Sequence, residues 1–205
     1  MPTLLTSIAL IAAAYVIGSI PFGIIVGRVI TGRDIRSGGS GHSGATNTMR
    51  QAGWGAGVLV LALDLAKGFL AEWLAVRYAS SSLTPLLAGA AVVAGHCWPV
   101  FAGFRGGMGL AAAGGALLVV YPLGFVLGLG LTALGSLGLR HSARGNIMTG
   151  VLVGPMIWLF SRSIGFALLG AAVGAVIAVR SLSDWNRKYR EVWLDREQKA
   201  EGRKQ

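Results

Sequence analysis

The sequence predicts an all-α polytopic membrane protein: a single bundle of seven transmembrane helices, N-terminus outside and C-terminus cytoplasmic. Three observations carry that prediction. Hydrophobic residues make up 54% of the 205 and charged residues only 13%, against ~25% charged in a typical soluble domain. Mean hydropathy is +0.65, and the apolar residues fall in blocks of about bilayer length. The basic residues, 18 Lys+Arg against 8 Asp+Glu, sit between those blocks and in the tail. So few charges cannot cover a soluble globule. The same figures exclude disorder and a coiled coil, and a lone cysteine, Cys97, excludes a disulfide scaffold.

In chain order the predicted spans are about 3–29, 54–77, 83–103, 109–121, 122–139, 146–161 and 163–179. No residue before Arg28 is basic, so the first block lacks the positive n-region of a cleaved signal and reads as a retained helix. Pro122 and Pro155 blur the limits of the short fourth to sixth blocks. Small-residue spacings such as Gly124/Gly128 and Gly170/Gly174 suit close helix approach in lipid, where tails are as apolar as leucine. No fixed-period repeat or linker divides the chain, so residues 1–205 read as one membrane-embedded domain. Its end, 185–205, reads as a basic cytoplasmic tail lying on anionic lipid.

Sidedness follows from the charges. With the C-terminus inside, the inner segments hold Arg28, Arg33, Arg36, Arg50, Arg105, Arg140, Arg144, Arg180 and seven Lys/Arg of the tail, while only Arg77 and Arg162 lie outside. The positive-inside rule therefore selects N-out, C-in. A basic surplus interleaved with apolar blocks favours membrane lipids over nucleic acid as the partner.

Both glycine-rich segments then face the cytoplasm. The first, residues 31–50, contains Gly39-Ser-Gly-His-Ser-Gly-Ala-Thr-Asn47 and ends on Arg50. Its glycines let successive N–H groups converge on an anion. Ser40, Thr46 and Asn47 add neutral donors, and Arg36 and Arg50 charge-assisted ones. No Walker A signature follows. The second segment, Gly95 to Leu110, sets Arg105 beside Gly106, Gly107 and Gly109, just ahead of an apolar helix whose N-terminus favours negative charge. Asp64 and Lys67 share a face within the second span, where a mutually neutralising structural pair and a functional pair are equally consistent with the spacing. No Cys, His or carboxylate cluster has metal-site spacing, and no cofactor is expected.

The motifs Gly18-Ser-Ile-Pro-Phe-Gly23, Gly39 to Asn47 with Arg50, Leu63-Asp-Leu-Ala-Lys-Gly68, and Gly95-His-Cys-Trp-Pro-Val-Phe101 followed by Phe104-Arg-Gly-Gly-Met-Gly109 closely resemble the bacterial acyl-phosphate:glycerol-3-phosphate acyltransferase family. The resemblance covers essentially the whole chain. It implies a plasma-membrane enzyme whose cytoplasmic site moves an acyl group from acyl phosphate to glycerol 3-phosphate, giving lysophosphatidic acid for phospholipid synthesis. It further implies an acyl-phosphate-producing enzyme as a partner. By position, Ser40, Arg50 and His96 match catalytic residues. Arg36, Gly41, Gly44, Thr46, Asn47, Arg105, Gly106, Gly107 and Gly109 match substrate-binding ones. Three departures stand out against the family pattern: His42 for Asn, Met108 for Lys, and Ser181 and Asp184 for the His and Asn of the third motif. Binding of acyl phosphate or phospholipid without turnover, or transport of a small solute, are the alternative readings.

Overall fold

The computed structural model describes residues 2–187, and the described chain is helical, without strands. Nine α-helices run in order: α1 (Pro2–Gly18), α2 (Phe22–Thr31), α3 (Ala45–Ala52), α4 (Trp54–Tyr78), α5 (Leu83–Cys97), α6 (Leu110–Val120), α7 (Pro122–Gly138), α8 (Ser142–Ser161) and α9 (Ile164–Leu182). Three stretches, Leu4–Thr31, Leu83–Ala102 and Ile164–Leu182, are long and apolar enough to cross a membrane by length and composition, and α6 and α7 are shorter apolar helices.

The structure corrects the predicted boundaries at three places. The first block is not one helix: it breaks at Ser19–Pro21 into α1 and α2, because Pro21 has no N–H to give and forces its predecessor away from helical geometry. The Ile20 carbonyl that this break releases is taken by the Lys67 ammonium at 2.9 Å, which is how a helix break is tolerated at depth. Segment 31–50 is not a loop throughout, since its second half forms α3 between Gly44 and Gly53. Finally, α8 begins at Ser142, four residues before the expected start, and α9 runs to Leu182. Of the basic tail, residues 188–205 lie outside the described residues.

Packing is dominated by pairs: α1 on α5, α4 on α6, α7 on α8, and α8 on α9. In all four crossings glycines on both helices bring backbone against backbone, as Gly135 and Gly145 do between α7 and α8. A Cβ on Gly18 would strike Val92 O and one on Gly95 would strike Tyr15 O. Between α4 and α6, Gly68 meets Ala112 O and Gly115 meets Leu65 O. Gly150 and Gly174 face each other's carbonyl oxygens across α8 and α9. Lipid supplies no hydrophobic force between helices, so this contact area is what holds them together. The buried core between the seams is built from Val92, Val93, Cys97, Ala113, Ile157, Val173 and Ile177. Helices α4, α6, α7, α8 and α9 thereby enclose a cavity whose mouth is formed by the two glycine-rich segments.

Candidate active site

The cavity holds about 530 Å³. Its lining is polar at Ser40, His42, Thr46, Asn47, Arg50 and His96, around the glycine-rich segments, and apolar at Leu65, Leu117, Phe125, Leu129 and Val153 along the helices. Helix α3 puts Thr46 and Arg50, one turn apart, on the cavity wall together with the buried Asn47, while Thr48 is buried behind them. Two helix N-termini open on the same space: Gly44 to Thr46 begin α3, and Gly109 to Ala111 begin α6. Neither start carries a side-chain cap; in α3 the Asn47 backbone amide donates to Gly44 O, which leaves the Ala45 and Thr46 amides, the first amides of α6 and both positive dipole ends to an anion.

The first segment is shaped by Asn47. Its amide Nδ2 donates to Ile35 O and to His42 O, both at 2.8 Å, and its Oδ1 accepts from Ser40 N at 2.9 Å. The loop turns through Gly39 and Gly41, at φ 58° and 69°, left-handed values that glycine reaches without a Cβ penalty. Sequence reasoning assigned the Asn47 amide to a substrate phosphate. In the structure its hydrogens are committed to loop carbonyls, and its role is to hold Ser40 at the cavity mouth.

Arg36, unlike Asn47, does not line the cavity. Its Nη1 donates to Ala102 O at 2.8 Å and to Arg105 O at 3.0 Å, and its Nη2 to Asp34 Oδ2 at 2.8 Å. The Arg36 side-chain hydrogen bond holds the Asp34 carboxyl below the usual carboxylate range. Arg36 therefore fastens the first segment to the second. Arg105 is exposed beside the mouth and offers its carbonyl to this clamp.

Gly106 and Gly107 also differ from the expected open anion nest. Their N–H groups donate inward, to Cys97 O at 3.2 Å and His96 O at 3.1 Å. Glycine is required at both for another reason: a Cβ at 106 would strike His96 O and one at 107 the His96 ring. Gly109, at φ 87°, is the member of the trio on the cavity wall, with Met108 beside it.

Asp64 draws three elements together. Its Oδ1 forms an ion pair with Lys67 Nζ at 2.8 Å and stands 3.4 Å from His96 Nδ1. Lys67 braces the break after α1, while Asp64 and His96 both reach the cavity wall. The spacing left two readings open for the Asp64–Lys67 pair, and the structure supports a part of each.

A family model described as glycerol-3-phosphate acyltransferase matches residues 8–190. The chain belongs to that family. Among glycerol-3-phosphate acyltransferases, the protein so named from Chlorobaculum tepidum is 38% identical over 159 residues, 72% of this chain and 68% of its own. The one from Halalkalibacterium halodurans is 36% identical over 187 residues, 87% of each chain. A crystal structure of PlsY (YgiH), described as an integral membrane glycerol 3-phosphate acyltransferase in its glycerol 3-phosphate form, superposes with a TM-score of 0.77 at 32% identity, covering 88% of this chain and 90% of that one. The lysophosphatidic acid form of the same enzyme gives 0.73 at 29% identity.

Against this acyltransferase family pattern, two of the departures touch each other. His42 Nε2 lies 2.9 Å from Asp184 Oδ2, and both side chains are buried. Burial holds His42 below the usual histidine range, and the Asp184 carboxylate opposes that shift. Ser181 is fully buried, and its Oγ has no hydrogen-bond partner among the described residues.

Sequence reasoning missed one wall of this acyltransferase site. Ser142, Asn146 and Thr149 descend one face of α8, opposite Ser136 and Thr132 of α7, and all five line the cavity. Asn146 is 3% exposed, and its amide makes no hydrogen bond with any described residue. The signal was present as polar residues four and three apart in an otherwise apolar helix, which places them on one stripe.

Proposed function

We propose that this chain transfers a fatty acyl group to a hydroxyl of glycerol 3-phosphate, with acyl phosphate as the donor and lysophosphatidic acid and inorganic phosphate as products. One observation carries the reading: a single cavity joins an anion-suited mouth to an apolar depth. The donor is itself a phosphate on an apolar chain, and it matches that division along its length. The mouth also has room for a second phosphate between Ser40, Thr46, Arg50 and the start of α3, where glycerol 3-phosphate belongs.

No side chain is placed as a covalent nucleophile, so transfer is direct. The acceptor hydroxyl oxygen attacks the acyl carbon, the bond from that carbon to the phosphate oxygen breaks, and phosphate leaves with the electron pair. His96, with Nδ1 turned to Asp64, is the acceptor assigned to the hydroxyl proton. Charge developing on the carbonyl and on the departing phosphate falls near the start of α6. Helix positioning and fixed dipoles supply the rest of the catalysis. We place this mouth on the cytoplasmic side of a seven-span bundle in the plasma membrane, as the charge asymmetry argues.

The test uses the purified full chain in lipid with palmitoyl phosphate and glycerol 3-phosphate. Lysophosphatidate is expected to form at a protein-dependent rate from palmitoyl phosphate and not from palmitoyl-CoA. His96→Gln is expected to lower kcat by about a hundredfold or more while leaving both KM values nearly unchanged. Tight binding of both substrates with no product from the parent protein overturns the reading.

A further inference from the structure

We infer that His42 and Asp184 act as one positioning unit, which fixes the glycerol 3-phosphate loop against the end of α9; this rests on the acyl-transfer reading above. The two residues are 142 positions apart, and both depart from the family pattern. In the structure they meet, with Nε2 of His42 2.9 Å from Oδ2 of Asp184. Each also has local partners, Ser40 O for His42 and Arg180 and Arg187 for Asp184, but it is their mutual contact that joins the two distant segments.

The ring is held on both edges. His42 Nδ1 lies 2.9 Å from Ser40 O, and the His42 carbonyl accepts from Asn47 Nδ2. A nitrogen facing a carbonyl must carry its hydrogen. The second contact, from Nε2 to a carboxyl oxygen, is an ion pair when the ring is protonated; burial works against that protonation and the Asp184 carboxylate favours it. Arg187 Nη1, 3.5 Å from the same carboxyl, and Arg180 Nη1 at 4.0 Å offset the Asp184 charge at that corner.

The end of α9 grips both glycine-rich segments in this way. Arg180 Nε donates to Gly107 O at 3.2 Å in the second, and Asp184 reaches the first through His42. Ser40, whose carbonyl the ring holds, and Thr46 follow the first segment. A displacement of about 1 Å at such positions costs roughly a hundredfold in rate. His42 and Asp184 are therefore positioning residues for the phosphate-binding side chains, and the substitutions at these two positions compensate each other.

A double-mutant cycle tests this in lipid with palmitoyl phosphate and glycerol 3-phosphate. His42→Asn and Asp184→Asn are each expected to raise the KM for glycerol 3-phosphate by about tenfold, because each removes the contact that ties the first segment to the end of α9. The KM for palmitoyl phosphate is expected to stay within about twofold, which a general loss of folding would not allow. The double variant is expected to be no worse than the poorer single. His42→Gln, whose amide nitrogen reaches as far as ring Nε2, is expected to recover at least a third of parental kcat/KM. Single effects that multiply in the double variant, or singles that leave the KM for glycerol 3-phosphate unchanged, overturn the proposal. A single variant that purifies only as aggregate is replaced in the cycle by Asp184→Ser or His42→Ala, with melting temperature as control. A parent protein that makes no lysophosphatidate defeats the acyl-transfer reading instead, and the same cycle on calorimetric glycerol 3-phosphate affinity then decides the pair.

Discussion

At the scale of single residues, the site divides into side chains that face the cavity and side chains that hold those in place. Arg50 is of the first kind. It is exposed on α3 at the mouth, and Arg50→Ala is expected to weaken use of glycerol 3-phosphate by about ten- to a hundredfold, since each charge-assisted contact is worth ~1.5–3 kcal/mol. A KM series for glycerol 3-phosphate checks it, and unchanged kinetics would reduce α3 to a connector. Met108 is the other informative wall residue. It stands just before α6, where the resembled family has lysine, and it contributes no charge. Met108→Lys is expected to raise kcat by about tenfold or more, because a cation opposite developing negative charge in a dry site contributes ~2–4 kcal/mol. Equal or lower turnover would mean that the α6 terminus and its neighbours already suffice. Asn47 and Arg36 belong to the second kind. Their residue types suggested ligands, and their hydrogen bonds make them fasteners.

At the scale of elements, apolar blocks were legible and polar helices were not. Block lengths placed α4 within a residue or so of its ends, because a run of 25 residues bounded by Gly53 and Ala79 has few alternatives. Helix α3 escaped, because Ala-Thr-Asn-Thr-Met-Arg-Gln-Ala has no apolar run and announces itself only by the glycines at both ends. The break at Pro21 was written in the chain, yet a block of 28 residues reads as one span until the bend is seen. No periodicity could pair His42 with Asp184, because that contact exists only once α9 has packed. The glycine seams make a sharper claim. Gly174→Leu drives a branched side chain into the α8 backbone, where Gly150 O and its carbonyl carbon already fill the space. Backbone cannot yield as a flexible side chain can, so a loss of about 3 kcal/mol or more is expected. Thermal unfolding in detergent measures it. Gly130→Leu on α7, where nothing lies within 4 Å, is the matched control and should leave the melting temperature nearly unchanged.

At the scale of the whole molecule, the orientation is open to a direct experiment. A cysteine at Ser80, exposed between α4 and α5, is expected to react with an impermeant thiol reagent added to intact cells. One at Ser37, exposed within the first segment, is expected to react only after the cells are opened. Ser43 is too buried to serve, and native Cys97 is buried as well. Labelling at position 37 from outside would reverse the bundle. The uncapped starts of α3 and α6 have a consequence for the molecule in solution. A fold with two unfinished helix ends in one chamber is completed by whatever anion occupies it, so ligand and stability are linked. Inorganic phosphate at a hundred times its dissociation constant would add about 2.7 kcal/mol, and a melting curve in phosphate should lie above one in chloride at equal ionic strength. The same linkage makes the released phosphate a competitor for the chamber it has just left, so that accumulating product slows the enzyme while protecting it from heat.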